Sequence, residues 1–389
     1  MSRRAFVVVA DAVGAGALPD AADYGDAGAN TLAHVAEAEG GLRLPTLQRL
    51  GLGSILPLEG VAPAEAPVVH GRLAARGAGK DSATGHWELM GVVTADALPM
   101  FPGGFPPEIV DRITRLAGQA PLCNAAYDGL QVLEDFGAEH LRTRAPIVYT
   151  SRDSVLQIAV HEDVLPEHRL HGLCAALRAE LVGELAVARV IARPFTGTSG
   201  AFARTDGRRD FAVHPPGRSY LEAAQAAGIP VHAVGKAWDL FAGVGFDEKH
   251  PAPTNAAGIA STGMLVDELP HGLVLTNLVE TDQVYGHRKD TAGFHRALRE
   301  IDTAVAGWLR RMRPGDLLIL TADHGVDPRM THSDHTREYV PLLAAFAGAD
   351  GRRHDGDMAD VGATVLAWLS PESDANLPGT PFAGVASRP

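Results

Sequence analysis

Short apolar, β-branched runs recur along the chain between turn residues. They include Phe6-Val7-Val8-Val9, Pro146-Ile147-Val148-Tyr149, Val187-Ala188-Arg189-Val190-Ile191 and Val231-His232-Ala233-Val234. Further on come Leu273 to Leu278, Leu317 to Leu320 and Val340 to Leu343. Continuous apolar runs of this length predict strands buried on both faces, as in parallel sheets. Between them the period changes. Residues 291–311 place Phe294, Leu298, Ile301, Val305 and Leu309 at helical spacing, and the Ala-rich stretch 220–227 stops at Gly228-Ile229-Pro230. Strands alternating with helices predict an α/β fold with a mostly parallel central sheet flanked by helices.

Several predicted strands run directly into acidic residues. Phe6–Val9 leads to Asp11, Leu273–Leu278 to Glu280 and Asp282, and Leu317–Leu320 to Asp323-His324. Ligands of open α/β sheets bind at the carboxyl ends of strands, so three distant segments are expected to converge there. The middle of the chain breaks this rhythm. A Pro- and Gly-rich junction at 99–107 and a loop-rich stretch at 196–219 bracket it. The expected organisation is a core of residues 1–97 and 218–389, interrupted by an inserted α/β domain over 98–217.

Composition narrows the class. In 389 residues, 46% are apolar and 21% charged, as in a folded globular protein. The net charge of −13, without a basic stripe, argues against nucleic-acid binding. It also means that any phosphate site must be locally positive. Two cysteines, Cys123 and Cys174, make no disulfide framework and suit a reducing compartment. The apolar run 5–10 is too short for a signal peptide, and no run reaches a membrane span. A cytoplasmic protein without membrane partners is expected.

Two constellations carry chemistry. Asp11, Asp282, His287, Asp323, His324 and His335 offer six candidate carboxylate and imidazole ligands, enough for two borderline divalent ions such as Mn²⁺ or Zn²⁺. No thiolate belongs to the set, which sets it apart from a structural zinc cluster. The second is Gly79-Lys80-Asp81-Ser82-Ala83-Thr84-Gly85-His86, where small and hydroxyl residues precede a helix expected to begin near Gly85. A hydroxyl beside free helix N–H groups and a metal pair could accept a phosphoryl group. Ser82 is the first candidate and Thr84 its rival; either could instead cap the helix. A nucleotide-binding Gly14-Ala15-Gly16 turn is disfavoured, because Pro19 stands where the third glycine would be.

These segments, in this order, resemble the prokaryotic phosphopentomutases of the alkaline phosphatase superfamily. The likeness extends through Asp11-Ala12-Val13-Gly14-Ala15-Gly16, Gly79-Lys80-Asp81, Gly85-His86-Trp87-Glu88, residues 148–159, Ile191-Ala192-Arg193-Pro194-Phe195, Gly286-His287-Arg288, Thr321-Ala322-Asp323-His324-Gly325 and Asp334-His335-Thr336-Arg337-Glu338-Tyr339. The resemblance implies an alkaline-phosphatase-like core with a cap. It implies interconversion of ribose 1-phosphate and ribose 5-phosphate, and of the deoxyribose pair, through a phosphorylated hydroxyl and two Mn²⁺ ions, with a sugar bisphosphate as activator. By motif position it implies Asp11, Asp323 and His324 at one ion, and Asp282, His287 and His335 at the other. Asp153, Arg193 and Arg204 match substrate-contacting positions of the cap, and Lys236 one of the core. The chain departs from the pattern twice: Ser82 stands where threonine is familiar, and residues 125–130 replace a Pro-Ala-Ser-Gly-Thr-Glu run. Another metal-dependent phosphomutase or a phosphatase of that superfamily is the alternative. Neither the preferred pentose nor the oligomeric state is legible.

Overall fold

A computed structural model describes residues 3–151 and 154–382. Asp153 therefore lies outside the described residues. The chain divides into two compact units, Met1–Ala97 with Pro215–Pro389, and Leu98–His214.

The first unit is built on an eight-stranded sheet. Its strands are β1 (Arg4–Ala10), β2 (Val69–Ala74), β3 (Val231–Val234), β4 (Glu248–His250), β5 (Gly272–Leu278), β6 (Asp316–Thr321), β7 (Val340–Phe346) and β8 (Gly356–Asp357), in the spatial order β4-β3-β5-β1-β6-β7-β2-β8. Every residue of β1, β5 and β6 is buried, which is why these strands read as unbroken apolar runs. β1 pairs in parallel with both β5 and β6. β7 alone runs against its neighbours, pairing antiparallel with β6 and with β2. The long amphipathic helix Thr291–Leu309 buries Phe294, Leu298, Ile301 and Val305, the stripe that its spacing predicts.

A charged clamp fixes the start of β1. Arg4 is fully buried, and its guanidinium grips the Asp316 carboxylate at 2.7 and 2.5 Å. Its remaining donors reach the carbonyls of Val266 and Leu269 at 2.7 and 3.0 Å. The ion pair is thus fully hydrogen-bonded, the condition under which burying two charges is tolerable.

The reversal of β7 decides where the chemistry falls. The chain leaves β6 at its carboxyl end, runs through residues 322–339 and re-enters the sheet in β7 from that same end. Gly325 and Thr336 pair across this excursion, with both backbone N–H groups donating, at 3.3 and 2.8 Å. One loop therefore carries Asp323, His324 and His335 past the ends of β1 and β5.

The second unit carries a six-stranded mixed sheet. Its main path joins strands Leu122–Ala126, Ile147–Thr150, Val155–His161, Arg189–Thr196 and Ala203–Arg204, while Arg209–Ala212 also pairs with Arg189–Thr196. Helices Pro107–Ala117 and Glu167–Glu180 bury Ile109, Ile113, Leu170, Cys174 and Leu177 against Val148, Leu156, Ile158 and Val190. The expected loop-rich stretch 196–219 thus contains two short strands, whose polar sequences carry no apolar run to announce them. No helix among the described residues is long and apolar enough to cross a membrane.

Candidate active site

The loop after β1 begins with Asp11, which is completely buried. Ala12 follows in the left-handed region, at φ 62°. A non-glycine residue rarely adopts this conformation, and here it directs the Ala12 N–H to Asp323 Oδ1 at 3.1 Å. Asn277, at the end of β5, donates its Nδ2 to Asp11 Oδ2 at 2.9 Å. Beyond β5 the backbone enters a π-helical turn, Thr281–Tyr285, then a 3₁₀ turn, Gly286–Arg288. π turns are rare and frequent at functional sites; this one carries Asp282, and the next turn carries His287.

The six predicted ligands come together. Asp282, His287 and His335 form one group of converging ligand atoms, all within 4.8 Å of one another, and Asp11, Asp282 and His324 form a second. Asp282 Oδ1 lies 3.3 Å from His287 Nε2 and 3.4 Å from His335 Nε2. His324 Nε2 is 3.4 Å from both Asp11 Oδ1 and Asp323 Oδ2. This differs in one respect from the division expected by resemblance. Asp282 belongs to both groups, while Asp323 Oδ2 faces His324 and, at 3.1 Å, the ring of His86.

The outer faces of these imidazoles are anchored. His287 Nδ1 donates to the Ser333 carbonyl at 2.6 Å, and His324 Nδ1 to the Gly325 carbonyl at 3.1 Å. Each anchor turns the other ring nitrogen inward as a lone-pair donor, the usual support for a metal-ligating histidine. Asp282 Oδ1, Asp323 Oδ2 and His335 Nε2 are buried without a hydrogen-bond partner. Unpartnered buried carboxylate oxygens are costly, and a divalent cation is the partner that fits converging carboxylate and imidazole atoms.

The charges point the same way. Burial drives the Asp11 carboxyl well above its ordinary range, and Asp323 and Asp282 push it further, against the opposing pull of Lys236 and His86. Burial also acts upward on Asp282 and Asp323, but their histidines outweigh it: His335, His324 and His287 for Asp282, and His324 and His86 for Asp323. Both carboxyls end below the ordinary range. Three carboxylates crowded in one buried pocket form a site short of positive charge.

The hydroxyl segment sits against this cluster. The helix runs over Ser82–Leu89, beginning three residues earlier than expected. Its cap is Asp81, whose Oδ1 accepts from the N–H groups of Ala83 and Thr84 at 3.0 and 3.1 Å. Neither hydroxyl is needed as the cap. Thr84 Oγ1 is held back on Asp81 Oδ2 at 2.7 Å, whereas Ser82 Oγ lies 3.1 Å from His324 Nε2 and 3.5 Å from Asp11 Oδ1. Gly85 allows the approach: a Cβ there would stand 2.3 Å from the Asp323 carbonyl oxygen.

Several supporting residues carry no signal in the ligand pattern. His86, fully buried, bonds the Ser82 carbonyl through Nδ1 at 2.8 Å and meets Asn277 through Nε2 at 3.2 Å. Glu338 accepts from Gly16 N, Thr31 N, Thr31 Oγ1 and Thr336 Oγ1, joining the loop after β1 to the 325–336 excursion. Asp26 accepts from Lys80 Nζ, His332 Nε2 and Arg337 N, joining that excursion to the serine segment. Of these residues, His86, Glu338, Lys80 and Arg337 lie inside the matched motifs, which mark them without assigning partners, while Asn277 and Asp26 carry no sequence signal.

Lys236 follows β3 after Gly235, at the start of the short helix Ala237–Leu240. In the second unit, Arg193 donates to Gln157 Oε1 at 3.1 Å, while Arg204 is exposed. Burial lowers the Arg193 pKa, and the like charges of Arg208 and Arg204 lower it further. The buried Tyr149 hydroxyl shares this field: burial raises its pKa against the pull of Arg204, Arg193 and Arg208. Asp210, paired with Arg189 and Arg208, offsets part of this positive charge.

A family model described as the metalloenzyme superfamily matches residues 3–372, and the chain belongs to that superfamily. Its relatives narrow the class. A phosphopentomutase of Anaeromyxobacter sp. (strain K) is 48% identical over a 397-residue alignment covering 100% of both chains. One of Syntrophotalea carbinolica is 51% identical over 343 residues, 88% of this chain and 87% of its own. Among solved structures, a phosphoglycerate mutase of Leishmania mexicana aligns over 98% of this chain and 97% of its own, at 14% identity and a TM-score of 0.47. Within the superfamily, the chain belongs to the phosphopentomutases and is an enzyme.

Proposed function

We propose that this enzyme interconverts the 1- and 5-phosphates of ribose and deoxyribose through a phosphorylated Ser82 at a di-manganese centre. The observation that carries the reading is the position of Ser82 Oγ, 3.1 Å from His324 Nε2 and 3.5 Å from Asp11 Oδ1, beside buried carboxylate and imidazole atoms of which Asp282 Oδ1, Asp323 Oδ2 and His335 Nε2 have no hydrogen-bond partner.

Asp11, Asp323 and His324 would hold one ion and Asp282, His287 and His335 the other, with Asp282 able to serve both. When bound, the ions would supply the positive charge that phosphoryl transfer needs around its oxygens and would acidify the serine hydroxyl. An activating pentose bisphosphate first phosphorylates Ser82. The phosphoserine then gives its phosphoryl group to the free 5-hydroxyl of ribose 1-phosphate: the P–Oγ bond breaks, a P–O5 bond forms, and the hydroxyl proton ends on Ser82 Oγ. The resulting bisphosphate returns the phosphoryl group from its 1-position to Ser82, leaving ribose 5-phosphate. Asn277 and the Ala12 N–H fix the Asp11 and Asp323 carboxylates, and His86 supports Asp323 from behind. Lys236 adds positive charge felt at Asp11. Arg193 and Arg204 are read as anchors for the substrate phosphate, by bidentate donation, and Asp153 as an acceptor for sugar hydroxyls. The substrates are small pentose phosphates, and the expected compartment is the cytoplasm.

Phosphorus NMR of the Mn²⁺-loaded enzyme with ribose 1-phosphate and a trace of bisphosphate tests this. Ribose 5-phosphate should appear in excess over free phosphate. Dominant free phosphate would transfer the reading to a phosphatase. The same assay with deoxyribose and arabinose phosphates sets the pentose preference.

A further inference from the structure

A second imidazole cluster lies on the sheet edge, outside the proposed centre. The edge strand β4 pairs in parallel with β3, and Glu248 stands in register with His232. Side chains alternate along a strand, so Glu248 and His250 share one face. Lys249 points the other way, where its Nζ meets Asp239 Oδ1 at 2.7 Å. On the shared face His232 Nδ1 lies 3.1 Å from His250 Nε2 and 3.4 Å from Glu248 Oε2, and His250 Nε2 lies 3.8 Å from that oxygen. The two rings are stacked, 24° from parallel.

We propose that His232, Glu248 and His250 form a further cation site, for a borderline transition ion such as Zn²⁺. Three donor atoms at these separations describe one face of a tetrahedron: ligands about 2.05 Å from a zinc ion stand roughly 3.4 Å apart. Two imidazoles and one carboxylate favour zinc, nickel or copper over magnesium or calcium. His232 is buried and fixed in the sheet, so its Nδ1 is held facing the other two donors. Asp247 is not a fourth ligand, because its two oxygens accept from Val231 N and Gln225 Nε2. The Glu248 side chain is 63% exposed, so water can complete the shell. The site has structural reach as well. Gly235 N donates to the His250 carbonyl at 3.0 Å, so an ion pinning β4 to β3 would also steady the turn that presents Lys236.

The test uses full-length enzyme loaded with Mn²⁺, then given Zn²⁺ and freed of excess by gel filtration, with both metals counted by elemental mass spectrometry. The native enzyme should retain about one equivalent of zinc with its manganese unchanged. His250→Gln, and the exposed variant Glu248→Gln, should keep the manganese and lose the zinc. Zinc should raise the melting temperature of the native enzyme and of neither variant. No retained zinc would reduce the cluster to a hydrogen-bonded imidazole pair and overturn the proposal. So would zinc that displaces manganese to the same extent in native and variant proteins. Neither count depends on which phosphate ester the enzyme turns over, so this proposal and the mutase reading fail separately.

Discussion

Ser82 and Thr84 stand two residues apart with different surroundings, and substituting each in turn exposes the nucleophile. Ser82→Ala removes a hydroxyl whose hydrogen-bond partners among the described residues are His324 and Asp11. No cap or backbone hydrogen bond is lost, so the fold should change by less than about 1 kcal/mol. If Ser82 carries the phosphoryl group, turnover should fall by at least ~10⁴-fold, equivalent to about 5.5 kcal/mol of transition-state stabilisation. Thr84→Val has the opposite profile. It removes a 2.7 Å hydrogen bond to the capping Asp81 carboxylate, at a cost of about 1.5–3 kcal/mol in stability, the range for a bond to a charged group. It should lower turnover by no more than about tenfold. Intact-mass spectrometry after incubation with the pentose bisphosphate should find a single phosphoryl adduct in the native enzyme and in Thr84→Val, and none in Ser82→Ala. Peptide mapping would place it. Phosphate on Thr84, or near-native turnover in Ser82→Ala, would refute the assignment.

Further substitutions probe what supports the site. Gly85→Ala would drive a methyl group to 2.3 Å from the Asp323 carbonyl; the helix must retreat, and metal retention and turnover should both fall at least tenfold by elemental analysis and NMR assay. Arg4→Met would leave the buried Asp316 carboxylate with the Arg313 N–H as its remaining hydrogen-bond donor among the described residues. A loss of about 3–5 kcal/mol is expected, visible as a melting temperature lowered by roughly 5–15 °C, and a change under 2 °C would contradict the clamp. In the second unit, His140 is buried with Nδ1 donating to the Ala145 carbonyl and Nε2 accepting from the His161 N–H. Burial lowers its pKa, so only the unfolded chain takes up a proton just below the ordinary value of about 6.5. Its stabilisation is complete above that pH and is lost as pH falls toward the folded pKa, by at most about 1.4 kcal/mol per pH unit. Thermal denaturation between pH 7 and 5 should show this slope in the native protein and a flatter one in His140→Gln; equal slopes would exclude the role.

The strands most legible in the sequence were those with water on neither side. β1, β5 and β6 are buried at every position, and burial on both faces demands unbroken apolar residues. β2 and β4 escaped because Val69–Ala74 includes His70, Gly71 and Arg72, and Glu248–His250 is wholly polar. β4 is a three-residue edge strand held by backbone pairing with β3, which leaves no mark on the sequence, whereas β2 lies between β7 and β8 and is hidden by its mixed composition. The six candidate ligands were legible because carboxylates and imidazoles at strand ends serve few purposes in a core. Their division was less so: that Asp282 reaches both groups depends on the π turn after β5, and periodicity does not encode such a turn. His86 and Asn277 were illegible as a pair for a plainer reason, since 191 residues separate them.

The lone reversed strand has an evolutionary cost. Because β7 turns back, Asp323, His324 and His335 travel on a single excursion whose two ends are clamped by neighbouring strands. Inserting or deleting one residue between 325 and 335 would misplace His335 while leaving Asp323 and His324 in position, dismantling one half of the proposed centre. Length variation in this family should therefore collect elsewhere on the chain, and this segment should drift by substitution alone.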